Sequence, residues 1–413
     1  MYELSQPAKM VQDMVRQWCR KNLMPALPAL ERGEILPYDL CRDLLKQTGM
    51  DVMIRAAILK RVEKLREAEA KGVRAGSSTA DLMGDGDEAG DPILVYVILK
   101  ELARCSPGFA MTWGVMLGLS GGALIGKGNA AQVEKYALPA VTMQKVSSWC
   151  LTEPGAGSDA FGSMRTTAKP DGDHYVLNGS KMFITNAPYA DIFVVYAKVD
   201  RGQPRAEMAV NAFICERGMP GLSTGQPLKK MGMKDSPTGE VFLDNVRVHK
   251  DNLLGGVEKT AEGRLDTKES LGNERSGLPA LALGVIEECY ERCVAYVKQR
   301  EQFGKPIAEY QAVQLKIADM YSKMKIVEST LFRTAWMQKK GIKDPAFINS
   351  SKAYCSEMAS QVAATAIQIH GGYGYMEEYH IEKLARDCKL LELGGGTTDI
   401  NMLSAARLEL GLA

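Results

Sequence analysis

Residues 149–159 read Trp149-Cys150-Leu151-Thr152-Glu153-Pro154-Gly155-Ala156-Gly157-Ser158-Asp159. Pro154, Gly155 and Gly157 make this a loop, where turns and close backbone approach are cheap. Thr152 and Ser158 add hydroxyls, and backbone N–H groups beside the glycines can bond a ligand. Residue types alone define a polar, glycine-rich ligand loop. Other chemistry-bearing residues are ambiguous singly. Phe183 alone reads as core packing, and Arg300 alone as a surface charge. Glu274 alone reads as a solvated acid near a helix start, where negative charge is favoured. The four histidines, His174, His249, His370 and His380, form no metal-ligand pattern, and His370 reads as structural. Asp85-Gly86-Asp87-Glu88 resembles part of a calcium loop, but the ligand spacing fails.

The elements that must position these residues fall into three zones. Residues 1–148 are helical in pattern: Met10, Val11, Met14, Val15 and Trp18 recur at helical spacing, and Ile93–Leu102 reads as a buried helix. Arg55–Lys71 is charged and helix-prone, and Gly72–Gly90 reads as a solvated, mobile loop. Residues 149–257 contain short β-rich runs at Tyr175–Leu177, Ile192–Tyr196, Ala212–Ile214 and Glu240–Leu243. Asn178-Gly179 signals a hairpin turn. Residues 258–413 return to long helical patterns, broken at Gly341, Asp344-Pro345 and Gly371–Gly374. The order α, β, α predicts an α+β protein, helical domains flanking a small β domain.

Composition narrows the class. A chain of 413 residues, 46% hydrophobic, predicts two or three domains with sizeable cores. A net charge of +1 gives no case for nucleic acid or an anionic membrane as partner. The nine cysteines lack a C-x-x-C pair, so free thiols in a reducing, cytoplasmic setting are expected. Cys289 and Cys293 read as buried neighbours. No secretory signal is visible, and no uninterrupted apolar run long enough to span a membrane is expected.

Taken together the motifs resemble the acyl-CoA dehydrogenase family over nearly the whole chain. Trp149–Asp159 is similar to its flavin- and thioester-contacting segment, which implies FAD contacts from Trp149, Leu151, Thr152, Gly157 and Ser158, the last also near substrate. Lys181-Met182-Phe183-Ile184-Thr185-Asn186 resembles the second flavin segment, with Phe183 against the isoalloxazine and Thr185 on its polar edge. Many members have Trp where this chain has Phe183. Met231-Gly232-Met233 and Phe242–Val248 match the end of the family's β domain. Arg300-Glu301-Gln302-Phe303-Gly304-Lys305-Pro306-Ile307, with Gln311, resembles the stretch that reaches the FAD of a neighbouring subunit. An Arg there pairs a pyrophosphate or stacks on a ring. Gln368 and Gly372 correspond to another dinucleotide-contacting turn, and Thr397 and Asp399 to further FAD contacts. The resemblance implies an N-terminal helical domain (1–148), a middle β-barrel or sandwich (149–257) and a C-terminal four-helix bundle (258–413), assembled as a homotetramer or homodimer. The loop after the early helices departs from the family, being replaced by Arg55–Gly90.

The implied reaction is α,β-dehydrogenation of an acyl-CoA, a carboxylate taking the α-proton while the carbonyl is polarised. Most members carry that base in the late segment, here Arg386-Asp387-Cys388-Lys389-Leu390-Leu391-Glu392-Leu393-Gly394-Gly395-Gly396-Thr397-Thr398-Asp399. Anchored on its ends, the segment has Gly395 at the usual Glu position and Gly394 at the preceding Tyr. The isovaleryl and long-chain branches place the carboxylate on an earlier helix, just before an Arg. Here that site reads Leu271-Gly272-Asn273-Glu274-Arg275, so Glu274 is the expected base and Glu392 the reserve. Gly395 keeps a backbone N–H for the thioester carbonyl, Gly396 lies beside the substrate, and Arg275 is expected on the CoA moiety. Gly272 lacks the acid that many members carry there. Three glycines leave room for a branched, cyclic or aryl-bearing acyl chain. Ser106–Trp113 lacks the Arg of the glutaryl branch, and Arg104 belongs to the structural Glu-Leu-Ala-Arg run. Electrons would pass to electron-transfer flavoprotein. The alternatives are an enoyl-CoA reductase or desulfinase-like enzyme on the same fold, or a non-catalytic CoA-binding subunit.

Overall fold

The structure is a computed structural model describing residues 3–72, 91–259 and 264–412; of 264–271, 273 and 274 it describes the backbone only. The calcium-like tetrapeptide 85–88 and most of the loop 72–90 lie outside the described residues.

Among the described residues nine α-helices open the chain: α1 Gln6–Trp18, α2 Met24–Glu31, α3 Tyr38–Gln47, α4 Met50–Ala70, α5 Pro92–Cys105, α6 Pro107–Gly114, α7 Gly122–Lys127, α8 Ala130–Gln132 and α9 Leu138–Val141. Several starts carry local signals. Ser5, Asp91 and Ser106 each precede a helix and accept a hydrogen bond from a first-turn N–H. Residues Pro107–Lys127 form a continuous helical run long and apolar enough to cross a membrane by length and composition. This corrects the expectation that no such run exists. Most of the run is buried inside the protein, and it serves as core.

Seven strands follow: β1 Ser147–Cys150, β2 Thr167–Asp171, β3 His174–Thr185, β4 Ile192–Val199, β5 Val210–Glu216, β6 Leu222–Thr224 and β7 Thr238–His249. They form one curled sheet in the order β1-β4-β2-β3-β7-β6, with β5 added to β4. All four predicted β runs fall inside strands. Asn178-Gly179, expected as a turn, lies instead within β3. Its Gly179 sits at a register shift against β7 and packs on the backbone of Thr166, where a Cβ would collide. The glycine serves close approach and a bulge. The actual β2–β3 hairpin turns at Gly172-Asp173, between the paired Asp171 and His174.

The C-terminal part is α10 Arg264–Gln299, a hairpin of β8 Glu301–Gln302 and β9 Lys305–Pro306, then α11 Gln311–Lys339, α12 Pro345–His370, α13 Ile381–Leu393 and α14 Thr398–Glu409. Helix α10 packs on α5, α11, α12 and α13. At its crossing with α5 stands Gly284, where a Cβ would land on the carbonyl of Lys100. Arg104 of α5 pairs with Glu287 at 2.9 Å and Glu288 at 3.0 Å of α10. Arg16 of α1 pairs with the fully buried Glu101 at 2.8 Å. Burial alone would raise Glu101, but Arg16, Lys100 and Arg104 hold it down to about 2. All nine cysteines are buried free thiols.

A second charged cluster joins the three parts of the fold. Lys383 of α13 reaches Asp387 at 2.5 Å, Glu31 of α2 at 3.1 Å, and Asp235, ahead of β7, at 3.4 Å. The three carboxylates converge closely enough to hold a cation, and the Lys383 ammonium is that cation.

Candidate functional site

The loop after β1 is built by strand β3. Met182 N–H donates to the carbonyl of Thr152 at 2.9 Å. Lys181 Nζ donates to the carbonyl of Leu151 at 3.1 Å and to Glu153 Oε1 at 2.8 Å. Glu153 also accepts backbone N–H bonds from Arg165 at 2.6 Å and Thr166 at 2.9 Å. Burial pulls Lys181 below its ordinary value, with Glu153 opposing. Burial would raise Glu153, yet Lys181 and these donors keep it below the usual carboxylate range. Glu153 and Ala156 pair across the turn. Trp149 stays half-buried, its indole N–H on Tyr196 Oη at 3.0 Å.

Phe183 stands at the exposed side of this bed. Between Lys181, opposite Val241, and Ile184, opposite Gly239, β3 carries one residue more than β7. The bulge puts Phe183 at φ +59°, which costs a non-glycine residue about 1 kcal/mol or more. It also leaves the ring 63% exposed, so the core-packing reading of Phe183 is wrong. A strained, solvent-facing aromatic needs a partner that the fold itself does not supply. Thr185 closes the strand opposite Thr238. Gly157 and Ser158 are exposed, and a Cβ at Gly155 or Gly157 would meet no protein atom within 4 Å. Packing therefore does not demand glycine there. An open ring platform beside an uncrowded polar loop fits a flavin.

A second group lies where α10 ends. Tyr296, Arg300, Gln302, Ile307, Ile369, His370, Gly371, Gly372 and Tyr373 line an open cleft of about 520 Å³. Arg300 lies 5.7 Å from the Tyr373 ring centroid, and Tyr296 stacks on His370 at 4.2 Å. Burial lowers His370, partly offset by its bond to the Ala366 carbonyl at 2.9 Å. Phe303 and Gly304 form the hairpin tip at positive φ, with Phe303 94% exposed. Gln311, first in α11, and Gln368, near the end of α12, are exposed.

The third group is the glycine loop between α13 and α14. Gly395 and Gly396 both take positive φ, +64° and +91°. Polar side chains bond their carbonyls. Arg275 Nε donates to Gly395 O at 2.8 Å. Lys352 Nζ, fully buried, donates to Gly396 O at 2.6 Å and Glu392 O at 3.1 Å. Asn401 Nδ2 donates to Gly396 O at 2.8 Å and Thr397 O at 3.0 Å. Thr397 caps α14 through Ile400 N–H, and Asp399 sits in its first turn. Arg275, expected on CoA, thus fastens the glycine loop and also donates to Asn349 Oδ1 at 2.8 Å. Glu392 is engaged by Lys389 at 2.6 Å and by the Ser360 hydroxyl, which argues against its reserve role as base. The Glu274 side chain lies outside the described residues; its backbone is in α10, one position before Arg275.

Sequence reasoning passed over Lys181, Lys352 and Asn401. Only Lys181 left a signal: alternation from Tyr175 puts it on the core face, unusual for a lysine.

Similarity to known proteins identifies the class as an oxidoreductase acting on acyl-CoA. Residues 148–246 match the family model described as acyl-CoA dehydrogenase, middle domain, and 261–409 that of the C-terminal domain. The chain is 38% identical over 311 residues to mitochondrial isovaleryl-CoA dehydrogenase of Arabidopsis thaliana, covering 75% of each. It is 36% identical over 318 residues to a subunit of the caffeyl-CoA reductase–Etf complex of Acetobacterium woodii, covering 77% of this chain and 82% of that one. The solved butyryl-CoA dehydrogenase of Megasphaera elsdenii matches with a TM-score of 0.85 at 30% identity over 99% of both chains. The chain belongs to the acyl-CoA dehydrogenase family.

Proposed function

We propose that the protein interconverts an acyl-CoA and its 2-enoyl-CoA in the dehydrogenating direction, on a branched, cyclic or aryl-bearing acyl chain. Glu274 takes the α-proton, and the Gly395 N–H bonds the thioester carbonyl, which makes that proton acidic enough for a carboxylate. FAD is the cofactor and, when bound, accepts the β-hydrogen as hydride. Phe183 and the loop Trp149–Ser158 hold its ring, and Arg300, Gln302, Gly372 and Gln311 serve its distal end across a subunit boundary. The exposed Phe303 tip and exposed Leu315 and Ile326 on α11 support a homotetramer or homodimer. The Etf complex named for the caffeyl-CoA relative supports electron-transfer flavoprotein as partner.

The observation that carries the reading is the 2.8 Å bond from Arg275 to the Gly395 carbonyl. It sets the turn of α10 bearing Glu274 against the loop where the usual carboxylate is missing. The test is anaerobic mixing with an acyl-CoA panel, following flavin absorbance. Wild type should bleach with branched or aryl substrates, and Glu274→Gln should bleach about 10²–10⁴-fold slower with flavin still bound. Equal rates would remove Glu274 as base, and turnover of straight chains only would remove the substrate class. The caffeyl-CoA relative favours a second reading, physiological enoyl-CoA reduction on the same residues. Reoxidation of the reduced enzyme by an enoyl-CoA much faster than forward bleaching would favour it.

A further inference from the structure

We infer that Lys181 is a positioning residue that welds the two flavin-facing segments into one rigid bed. The inference rests on the flavin reading above and goes beyond it, to a residue beneath the bed. Lys181 is fully buried, and its ammonium bonds the Leu151 carbonyl at 3.1 Å and Glu153 at 2.8 Å. The adjacent Met182 N–H takes the Thr152 carbonyl at 2.9 Å. Three consecutive loop residues are therefore tied to two consecutive strand residues, and the next strand residue is Phe183 in its strained bulge.

The far side of Phe183 is fixed by different means. Asn186, fully buried at φ +69°, donates to the Ser147 carbonyl at 3.2 Å and accepts from Tyr38 Oη at 3.3 Å. The aromatic is thus pinned three residues on by a neutral amide and two residues earlier by a buried cation. A buried ion pair gives little net stability against an apolar pair of similar volume. Its directional bonds do what an apolar pair cannot. Lys181 has donors to spare, so one ammonium holds both a main-chain carbonyl and the carboxylate that orders Arg165 and Thr166. Geometry, more than stability, is what the pair contributes.

The test separates these two contributions. Lys181→Met leaves Glu153 buried without its cation and will lower thermal stability. Lys181→Met combined with Glu153→Leu removes both charges and should recover most of that loss. Each holoenzyme is purified, and FAD release on dilution is followed by the rise of free-flavin fluorescence, with the visible flavin spectrum recorded beforehand. The double variant is expected to bind FAD at least tenfold more weakly than wild type, with a blurred flavin absorption band, despite its recovered thermal midpoint. An FAD Kd less than tenfold above wild type in the double variant would overturn the inference, because charge balance would then be all the pair provides. If Lys181→Met does not fold, the double variant alone decides. A wild type that binds no FAD would instead sink the flavin reading itself.

Discussion

Replacing Lys383 by Met tests whether the three parts of the fold are locked by charge at their common junction. The ammonium lies within 3.4 Å of Asp235, Glu31 and Asp387, and it, Asp235 and Asp387 are buried. Burial and Asp235 push Asp387 up to about 6 even with Lys383 opposing. Removing one partner from a buried ionic cluster costs about 3–5 kcal/mol. At about 2.1 cal/mol/K of unfolding entropy per residue, 413 residues give roughly 0.9 kcal/mol/K, so the thermal midpoint should fall by about 3–6 °C. The pH dependence has a definite sign. Without Lys383 the folded Asp387 binds a proton more tightly still, above its unfolded value, so the folded state gains stability as pH falls. The deficit relative to wild type should narrow from pH 7.5 to 5.5. Lys230, which burial lowers to about 8, is also pulled down by Lys383 and should rise in the variant, softening the loss. Scanning calorimetry at fixed flavin saturation and scan rate measures both effects. A shift under 1 °C, or a deficit that stays constant or widens on acidification, would refute the reasoning.

Three further outcomes are expected. Acid should destabilise the protein in two stages: His380, pulled down to about 3 by burial, Arg292 and Lys383, loses its contribution as pH falls below about 6.5, and Glu101, held near 2, loses about 3 kcal/mol as pH falls from about 4.5 toward 2. His380→Gln should flatten the urea-midpoint slope between pH 6.5 and 4.5, and an unchanged slope would remove His380 from that account. Arg275→Met should cut kcat about tenfold or more with a smaller change in KM, because it frees the Gly395 carbonyl; a pure KM effect would return Arg275 to CoA binding. Gly395→Glu, placed in Glu274→Gln, should restore little flavin bleaching, since φ +64° costs an L-residue about 1–2 kcal/mol, and recovery to wild-type rates would contradict that cost.

What the sequence showed and hid follows from range. The helical spacing of Met10–Trp18, the buried helix at Ile93–Leu102 and the β run Ile192–Tyr196 are local signals, and they sit where the pattern put them. The pairing of Trp149–Asp159 with Lys181–Asn186 joins two segments that were each readable because their residues are contiguous. The bulge was not. Strict alternation from Tyr175 carries Lys181 and Phe183 to the same inner face, and only the extra residue before Ile184 turns Phe183 outward. Asn178-Gly179 looks like a turn because its sequence signal is local, while the Thr166 backbone that makes it a bulge lies on another segment. The Lys383 cluster left no trace, for its carboxylates come from residues 31, 235 and 387, and no local pattern encodes such a meeting.

The glycine loop makes the proposed relocation of the base a matter of backbone as much as of side chain. Gly395, at the usual Glu position, takes φ +64°, which glycine adopts freely and a Glu resists, whereas Gly394, at the Tyr position, is extended at φ -69°. A Cβ at Gly396 would come within 3.3 Å of both Asn401 and Arg275, the groups that hold the loop. A Cβ at Gly396 would therefore press on the side-chain ends that hold the loop, and the carbonyls they hold are presented by a left-handed backbone. The proposed carboxylate comes from outside the loop: α10 sends Arg275 to the Gly395 carbonyl, and Glu274 is the residue just before it.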